Sequence, residues 1–122
     1  MKRLILEMGT GNDLYGGDYT KAACRAVQDA LHHSSITLFQ SLGYNHWDML
    51  VKVTIGVQAP EMVDRKRVLA ELPRGTPELK LVKGGLNAHD EEHDNVSVIA
   101  TAAVEAFLDI NTSDWQLSNK AR

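Results

Sequence analysis

A group of glycines, aspartates and a tyrosine between residues 7 and 23 is best suited to bind a ligand. The segment EMGTGNDLYGGDYTKAA joins a short apolar run to a helical pattern. Glycines at such a junction bring backbone N–H groups close to an anion or another polar group. Asp13 is a candidate general base, hydrogen-bond acceptor or metal ligand, and Tyr15 is a candidate donor. The candidate ligand-binding residues here are Gly9, Gly11, Gly16, Gly17 and Asp18.

Known phosphate-binding motifs do not account for this segment. Gly9 and Gly11 have the spacing that opens the dinucleotide fingerprint, but Leu14 occupies the place of its third glycine. No Gly-Lys-Ser/Thr follows, which excludes a Walker A loop. A structural interpretation is about equally open, in which Asp13 forms an Asx turn and Asp18 caps the helix.

A lysine beside two glycines is the second candidate for chemistry. Lys83 precedes Gly84 and Gly85 at the end of a short strand pattern. Such a lysine can hold an anionic ligand or, if desolvated, act as a base, although most lysines are simply exposed. We predict one site that combines loop 9–17 with Lys83, Gly84 and Gly85, from one subunit or from neighbouring subunits. Its catalytic residues would be Asp13, Lys83 and Tyr15.

The acidic segment 83–95 carries two histidines. His89 and His93 are four residues apart and would share a helix face, so that with Asp90 they resemble a distorted H-E-x-x-H zinc motif. No apolar helical stripe surrounds them, which favours a solvated acidic loop. We therefore predict no metal and no cofactor. Cys24 lies within a helical pattern and is expected to be a small core residue.

Length and charge limit the classes of function. A chain of 122 residues, 43% hydrophobic and 24% charged, is one globular domain. The formal net charge of −3 gives no electrostatic footprint for nucleic acid. A single cysteine excludes an internal disulfide and suits a reducing compartment. The apolar run at the start is too short for a signal peptide or a membrane span. We expect a cytoplasmic protein without nucleic-acid or membrane partners.

Hydrophobic periodicity predicts alternating strands and helices. Apolar residues at helical spacing predict a helix over 22–31, and Asp18 or Thr20 can cap it. Every odd position from 47 to 59 is apolar, which predicts a long strand with one buried face. Short strands are expected at 4–8, 36–42 and 79–81, and a second helix at 60–72.

The segment 96–108 fits two structures. Its apolar residues match a strand face and a helical stripe equally well. Its alanine content favours a helix. The long strand 47–59 needs a neighbour for its backbone groups, and this favours a strand.

Together these elements predict an α+β fold, with a single sheet of about four to five strands and two helices packed on one face. Residues 1–110 would form the domain and 111–122 a polar tail. The other face of the sheet also needs a cover. In so short a chain we expect another copy of the protein to provide it.

The segment EMGTGNDLYG resembles the signature G-x-G-x-D-x-H-G of an uncharacterised family of short proteins from bacteria and plants. The resemblance continues in TKAACRAVQDAL, VKGG and TAAVEAF. Gly9, Gly11, Asp13 and Gly16 match the signature, and Tyr15 stands where the family usually has histidine. A phenol still donates a hydrogen bond, but it is a poor base near neutral pH. The resemblance implies no established reaction.

The architecture also resembles one unit of the ring-opening amidohydrolases (the cyanuric acid hydrolase and barbiturase group) and the trimeric reactive-intermediate deaminase fold. This resemblance implies a homo-oligomer, a trimer or a multiple of it, with clefts between subunits. Lys83 stands where that group has a serine before its Gly-Gly, so serine-based ring opening is not implied. The expected function is a small-molecule enzyme, hydrolase- or deaminase-like, acting on a compact polar substrate. The alternative is a non-catalytic small-ligand-binding or structural ring-forming protein.

Overall fold

A computed structural model of the chain describes residues 1–32, 49–72 and 76–109. Five strands form one sheet, and the helices are α1 (Tyr19–His32) and α2 (Arg65–Leu69), with a 3-10 turn at Pro60–Met62 before α2. The strands are β1 (Lys2–Asp13), β2 (Leu50–Val57), β3 (Thr76–Lys83), β4 (Leu86–Asp90) and β5 (Asn95–Leu108). The predicted α+β class with a single sheet is therefore confirmed.

The sheet has the order β1-β5-β2-β3, and β4 lies beside the first residues of β5. β5 is antiparallel to β1, β2 and β4, whereas β2 and β3 are parallel. β1, β2 and β3 therefore all end at the same edge of the sheet, which we call its carboxyl end. The N-terminus of α1 and the turn between β4 and β5 lie at this end too.

The segment 96–108 is a strand, as the need for a neighbour of β2 indicated. β5 pairs with β2 from Leu50↔Phe107 to Gly56↔Thr101. Alternate residues of both strands are buried under α1, which explains the period of two. The buried set is Met49, Val51, Val53, Ile55 and Val57 with Val98, Ala100, Ala102, Val104, Ala106 and Leu108.

Helix α1 supplies the other half of this core through small side chains. Ala22, Ala23, Ala26 and Ala30 are 0% exposed, so the predicted helical stripe is the buried face. No helix within the described ranges is long and apolar enough to cross a membrane. The predicted strand at 36–42 lies outside the described residues.

The second helix is shorter than predicted. A single helix over 60–72 is wrong, because the chain forms a 3-10 turn and then starts again at Asp64. Asp64 has an extended backbone, and its Oδ1 accepts hydrogen bonds from the N–H groups of Lys66 (3.0 Å) and Arg67 (3.4 Å). This N-cap fixes the start of α2 five residues into the predicted helix.

Strand β1 is longer than predicted and contains part of the glycine-rich segment. Gly9 and Gly11 lie within β1, opposite Ala102 and Ala100 of β5, and not in a loop. A Cβ built on Gly11 would lie 2.3 Å from the carbonyl oxygen of Ala22, inside α1. The glycines are needed there because the helix backbone lies directly on the strand.

Candidate functional site

Asp13 closes strand β1 and is buried, with 4% of its surface exposed. Its Oδ2 accepts a hydrogen bond from the backbone N–H of Asp18 at 2.8 Å, and its Oδ1 lies 3.9 Å from Nη1 of Arg25. Asp18 in turn accepts from the N–H of Lys21 at 3.0 Å and caps α1. Both aspartates thus hold the turn and the helix start, as in the structural interpretation of this segment.

The strand-to-helix loop proper is limited to residues 14–18. Gly16 and Gly17 have φ values of 92° and 62°, which favour glycine, and Tyr15 is 78% exposed. The carbonyl oxygen of Leu14 accepts hydrogen bonds from Nδ2 of Asn95 (2.7 Å) and Oγ of Ser97 (3.1 Å). These bonds tie the loop to the start of β5 and bring Tyr15 beside the β4–β5 hairpin.

The Gly84-Gly85 pair has a structural reason of its own. The N–H of Gly84 donates to the carbonyl oxygen of Val57 at 2.9 Å, and the chain then passes over the end of β2 to place β4 beside β5. A Cβ on Gly85 would lie 2.2 Å from the carbonyl oxygen of Ile99. The crossing therefore leaves no room for a side chain at this position.

Lys83 and Asp13 do not meet within one chain. Lys83 is exposed at the end of β3, and β2 and β5 separate that strand from β1. Three strand spacings amount to roughly 14 Å. A site that combines both residues across neighbouring subunits stays a prediction.

The histidine-bearing segment is a β-hairpin, so the prediction that His89 and His93 share a helix face is wrong. His89 lies on β4 opposite Val96, and His93 lies in the turn 91–94. His89 Nε2 is 3.4 Å from Oδ1 of Asp94, and His93 Nδ1 is 2.8 Å from Oδ2 of Asp90. Each histidine thus has a different aspartate partner. Among the described residues, no group of three or more His, Cys, Asp or Glu side chains is arranged to hold a metal ion.

A surface cavity of about 480 Å³ lies between the 14–18 loop and this hairpin. We call it the hairpin cleft, and its lining residues are Tyr15, Asp90, His93, Asp94 and Asn95. It brings Tyr15, a predicted site residue, together with a pair that the sequence interpretation considered only as metal ligands. The sequence signal for that pair was the spacing Asp-x-x-His, because a tight turn brings side chains three residues apart into contact.

The Asp90–His93 pair has the geometry of a base and its orienting group. A hydrogen bond from His93 lowers the pKa of the Asp90 carboxyl, and the backbone N–H groups of His93 and Glu92 lower it further. The carboxylate therefore stays ionised at neutral pH and accepts from Nδ1–H of His93. In the neutral tautomer whose Nδ1–H donates to Asp90, Nε2 is the ring nitrogen with the lone pair that can accept a proton.

Within the described ranges, the fold and this cleft define a small α+β protein with a helical layer on one face of the sheet and an acidic hairpin beside an exposed tyrosine. The chain belongs to the family of conserved hypothetical proteins Lin0512_fam, which matches residues 3–106. The expectation of an uncharacterised family is thereby confirmed. The G-x-G-x-D-x-H-G signature and the amidohydrolase resemblance stay predictions.

Among solved structures, the chain is similar over nearly its whole length to a protein from a species of the genus Nostoc. The crystal structure is that of an FtsZ-like protein of unknown function from Nostoc punctiforme, with a TM-score of 0.78 and 35% sequence identity. The similarity covers 89% of this chain and 97% of that chain. No curated relative matches the sequence.

Proposed function

We propose that this protein is a small-molecule enzyme, hydrolase- or deaminase-like, that acts on a compact polar substrate in the hairpin cleft. The observation that carries the proposal is the 2.8 Å contact between Asp90 Oδ2 and His93 Nδ1 at the wall of this cavity. A histidine held by a carboxylate is a common general base for activating water. At about 480 Å³ the cavity has the size of a small-molecule site.

Each lining residue has a role in this proposal. His93 takes a proton from water through Nε2 as the water oxygen attacks the substrate carbon, and returns that proton to the nitrogen that leaves when the carbon–nitrogen bond breaks. Asp90 holds the imidazole in the required tautomer and stabilises the imidazolium that forms. Tyr15 donates a hydrogen bond to a carbonyl or imine of the substrate. Asp94 and Asp90 make the cleft acidic, which favours a substrate with N–H groups.

This assignment moves the base from Asp13 to His93. Asp13 is buried and accepts from the backbone of its own turn, whereas 72% of the His93 side chain is exposed beside the cavity. The glycine-rich loop keeps a part in the site, because it positions Tyr15. Lys83 contributes to the cleft only if a neighbouring subunit brings it there.

Ammonia release from a panel of compact primary amides and imines, and ring opening of cyclic ureides followed by mass spectrometry, test the proposal. For any member that the wild-type protein turns over, His93→Ala should lower the rate by about 10²- to 10⁴-fold. Asp90→Asn should lower it by a smaller factor and Tyr15→Phe by less again. His89→Ala is the matched control, because His89 is a half-exposed histidine of the same hairpin that does not line the cavity.

Two results would contradict the proposal. One is a rate for His93→Ala equal to that of the wild type. The other has two parts: the protein turns over no member of the panel, and native mass spectrometry detects a stoichiometric small molecule on the purified protein. That molecule would also have to stay chemically unchanged. The second result would favour the non-catalytic ligand-binding alternative.

A further inference from the structure

The sheet face opposite α1, which we call the open face, combines apolar and charged side chains. On β1, Leu6 is 45% exposed and Met8 68% exposed. Their partners across the ladder are Glu105 and Ala103 of β5. Apolar strand residues this exposed, side by side on one face, are typical of a surface that another molecule covers.

A row of alternating charges crosses the same face. Glu105 pairs with Lys52, and Lys52 pairs with Glu78. A negative, a positive and a negative side chain therefore lie on three adjacent strands. Arg3 extends the row, with Nη1 at 3.3 Å from Oε2 of Glu105. The row lines a shallow cavity of about 230 Å³ between Lys52, Thr54, Glu78, Lys80 and Glu105, among others.

Strand β1 is also an edge strand, but α1 occupies that edge near the carboxyl end of the sheet. Oδ2 of Asp29 accepts from the N–H of Thr10 at 2.9 Å, and Nη1 of Arg25 donates to the carbonyl oxygen of Asn12 at 2.5 Å. Helix side chains therefore satisfy backbone groups that a further strand would need. Blocking of this kind disfavours the addition of a strand along this part of the edge.

We infer that the open face is the contact surface for a second copy of this chain. A row that alternates in sign is complementary to itself, since turning one copy over places Lys52 opposite a carboxylate of the other. Under the same rotation β1 of each copy lies over β3 of the other, so that the same contact covers the apolar β1 corner of both copies, as an interface between two identical copies requires. The inference is independent of the proposed reaction, because no residue of the hairpin cleft belongs to the row.

Molar mass from sedimentation or light scattering over about 1 to 100 µM tests the inference. The wild-type protein should have a mass of two chains or of another even number of chains, because the two-fold contact joins copies in pairs. A mass of three chains would overturn the inference. Met8→Lys should shift the protein to the monomer. Met62→Lys is the matched control, because Met62 is 65% exposed and precedes α2, outside the sheet. It should leave the mass unchanged.

A charge series provides a second test that does not depend on the apolar corner. Lys52→Glu places three carboxylates in a row and should weaken association by about tenfold or more. The quadruple variant R3E/K52E/E78K/E105K inverts the row but keeps its alternation, and it should restore association. Glu61→Lys, an exposed change in the 3-10 turn, is the control.

Thermal unfolding of each variant separates lost association from lost folding. A wild-type protein that stays monomeric at 100 µM would overturn the inference. Equal effects of Met8→Lys and Met62→Lys would also overturn it, and so would a quadruple variant that stays monomeric while folded. The hairpin-cleft variants should leave the mass unchanged.

Discussion

Helix α1 lies so close to strand β1 that a Cβ on Gly11 would stand 2.3 Å from the backbone nitrogen of Ala26. No side-chain rotation relieves this contact, because both partners are backbone atoms. Gly11→Ala should therefore force the helix off the sheet and lower the free energy of unfolding by about 4 kcal/mol or more. Urea denaturation followed by circular dichroism measures the change.

Gly17→Ala is the matched control for this effect. Gly17 has a φ of 62°, so alanine there carries the cost of a left-handed backbone, about 1 kcal/mol. If Gly11→Ala lowered the free energy of unfolding no more than Gly17→Ala does, α1 would be shown to move away from β1 at little cost in free energy.

The close approach explains why the first strand could not be predicted to its full length. Glycine is rare within strands, so the glycine-rich segment after Met8 favoured a loop. The spacing of two between Gly9 and Gly11 fits a strand face, but the reason for small residues there lies in α1, which follows later in the chain. By contrast, β2 and α1 have strong periods of their own and were predicted well.

The candidate site was predictable only in part, for a related reason. Tyr15 was a sequence-based candidate and lines the hairpin cleft. The partnership of Asp90 with His93 depends on a tight turn in a segment without strand periodicity, and the distance between Lys83 and Asp13 depends on the order of the strands. Strand order is a property of long-range pairing, which local patterns do not encode.

Replacement of Asp13 should affect stability more than chemistry. Asp13→Ala removes the acceptor of the Asp18 N–H and the partner of Arg25, and should lower the free energy of unfolding by about 2 to 3 kcal/mol. Asp13→Asn keeps an acceptor but loses the charge, and should cost about 1 kcal/mol. Guanidinium denaturation measures both values.

Asp18→Asn is the control for the Asp13 series, because asparagine is also a good N-cap and should leave stability nearly unchanged. The contrary result would be an Asp13→Asn protein of wild-type stability that no longer turns over a substrate. Asp13 would then be the base, as the glycine-rich segment first indicated.

The thiol of Cys24 should react only when the protein opens. Cys24 is 6% exposed in the face of α1 that contacts the core, and burial, followed by the nearby Glu71 carboxylate, raises the pKa of its thiol. The thiolate is the reactive form, so both accessibility and ionisation oppose labelling. A disulfide reagent at pH 8 should react orders of magnitude more slowly with the native protein than with the protein in denaturant. Rapid stoichiometric labelling of the native protein would show that α1 detaches readily.

The Asp90–His93 contact should be visible in the pH dependence of the hairpin. The pKa of Asp90 is lowered in the folded protein, chiefly by the hydrogen bond from His93. Its stabilising effect is therefore complete above the pKa of the unfolded chain and disappears as the pH falls through the folded value. The destabilisation that Asp90→Asn causes at pH 7 should accordingly vanish once the pH is low enough to protonate Asp90 in the folded protein.

An NMR titration of the Asp90 carboxyl carbon tests the cause of this shift directly. His93→Gln removes the largest contribution and should raise the pKa of Asp90 towards its ordinary value. His89→Gln removes only a weaker, purely electrostatic contribution and should raise it less, which makes it the matched control. If the two variants raised the pKa equally, His93 would not be held by Asp90 in solution. The general base of the proposed reaction would then lose the group that orients it.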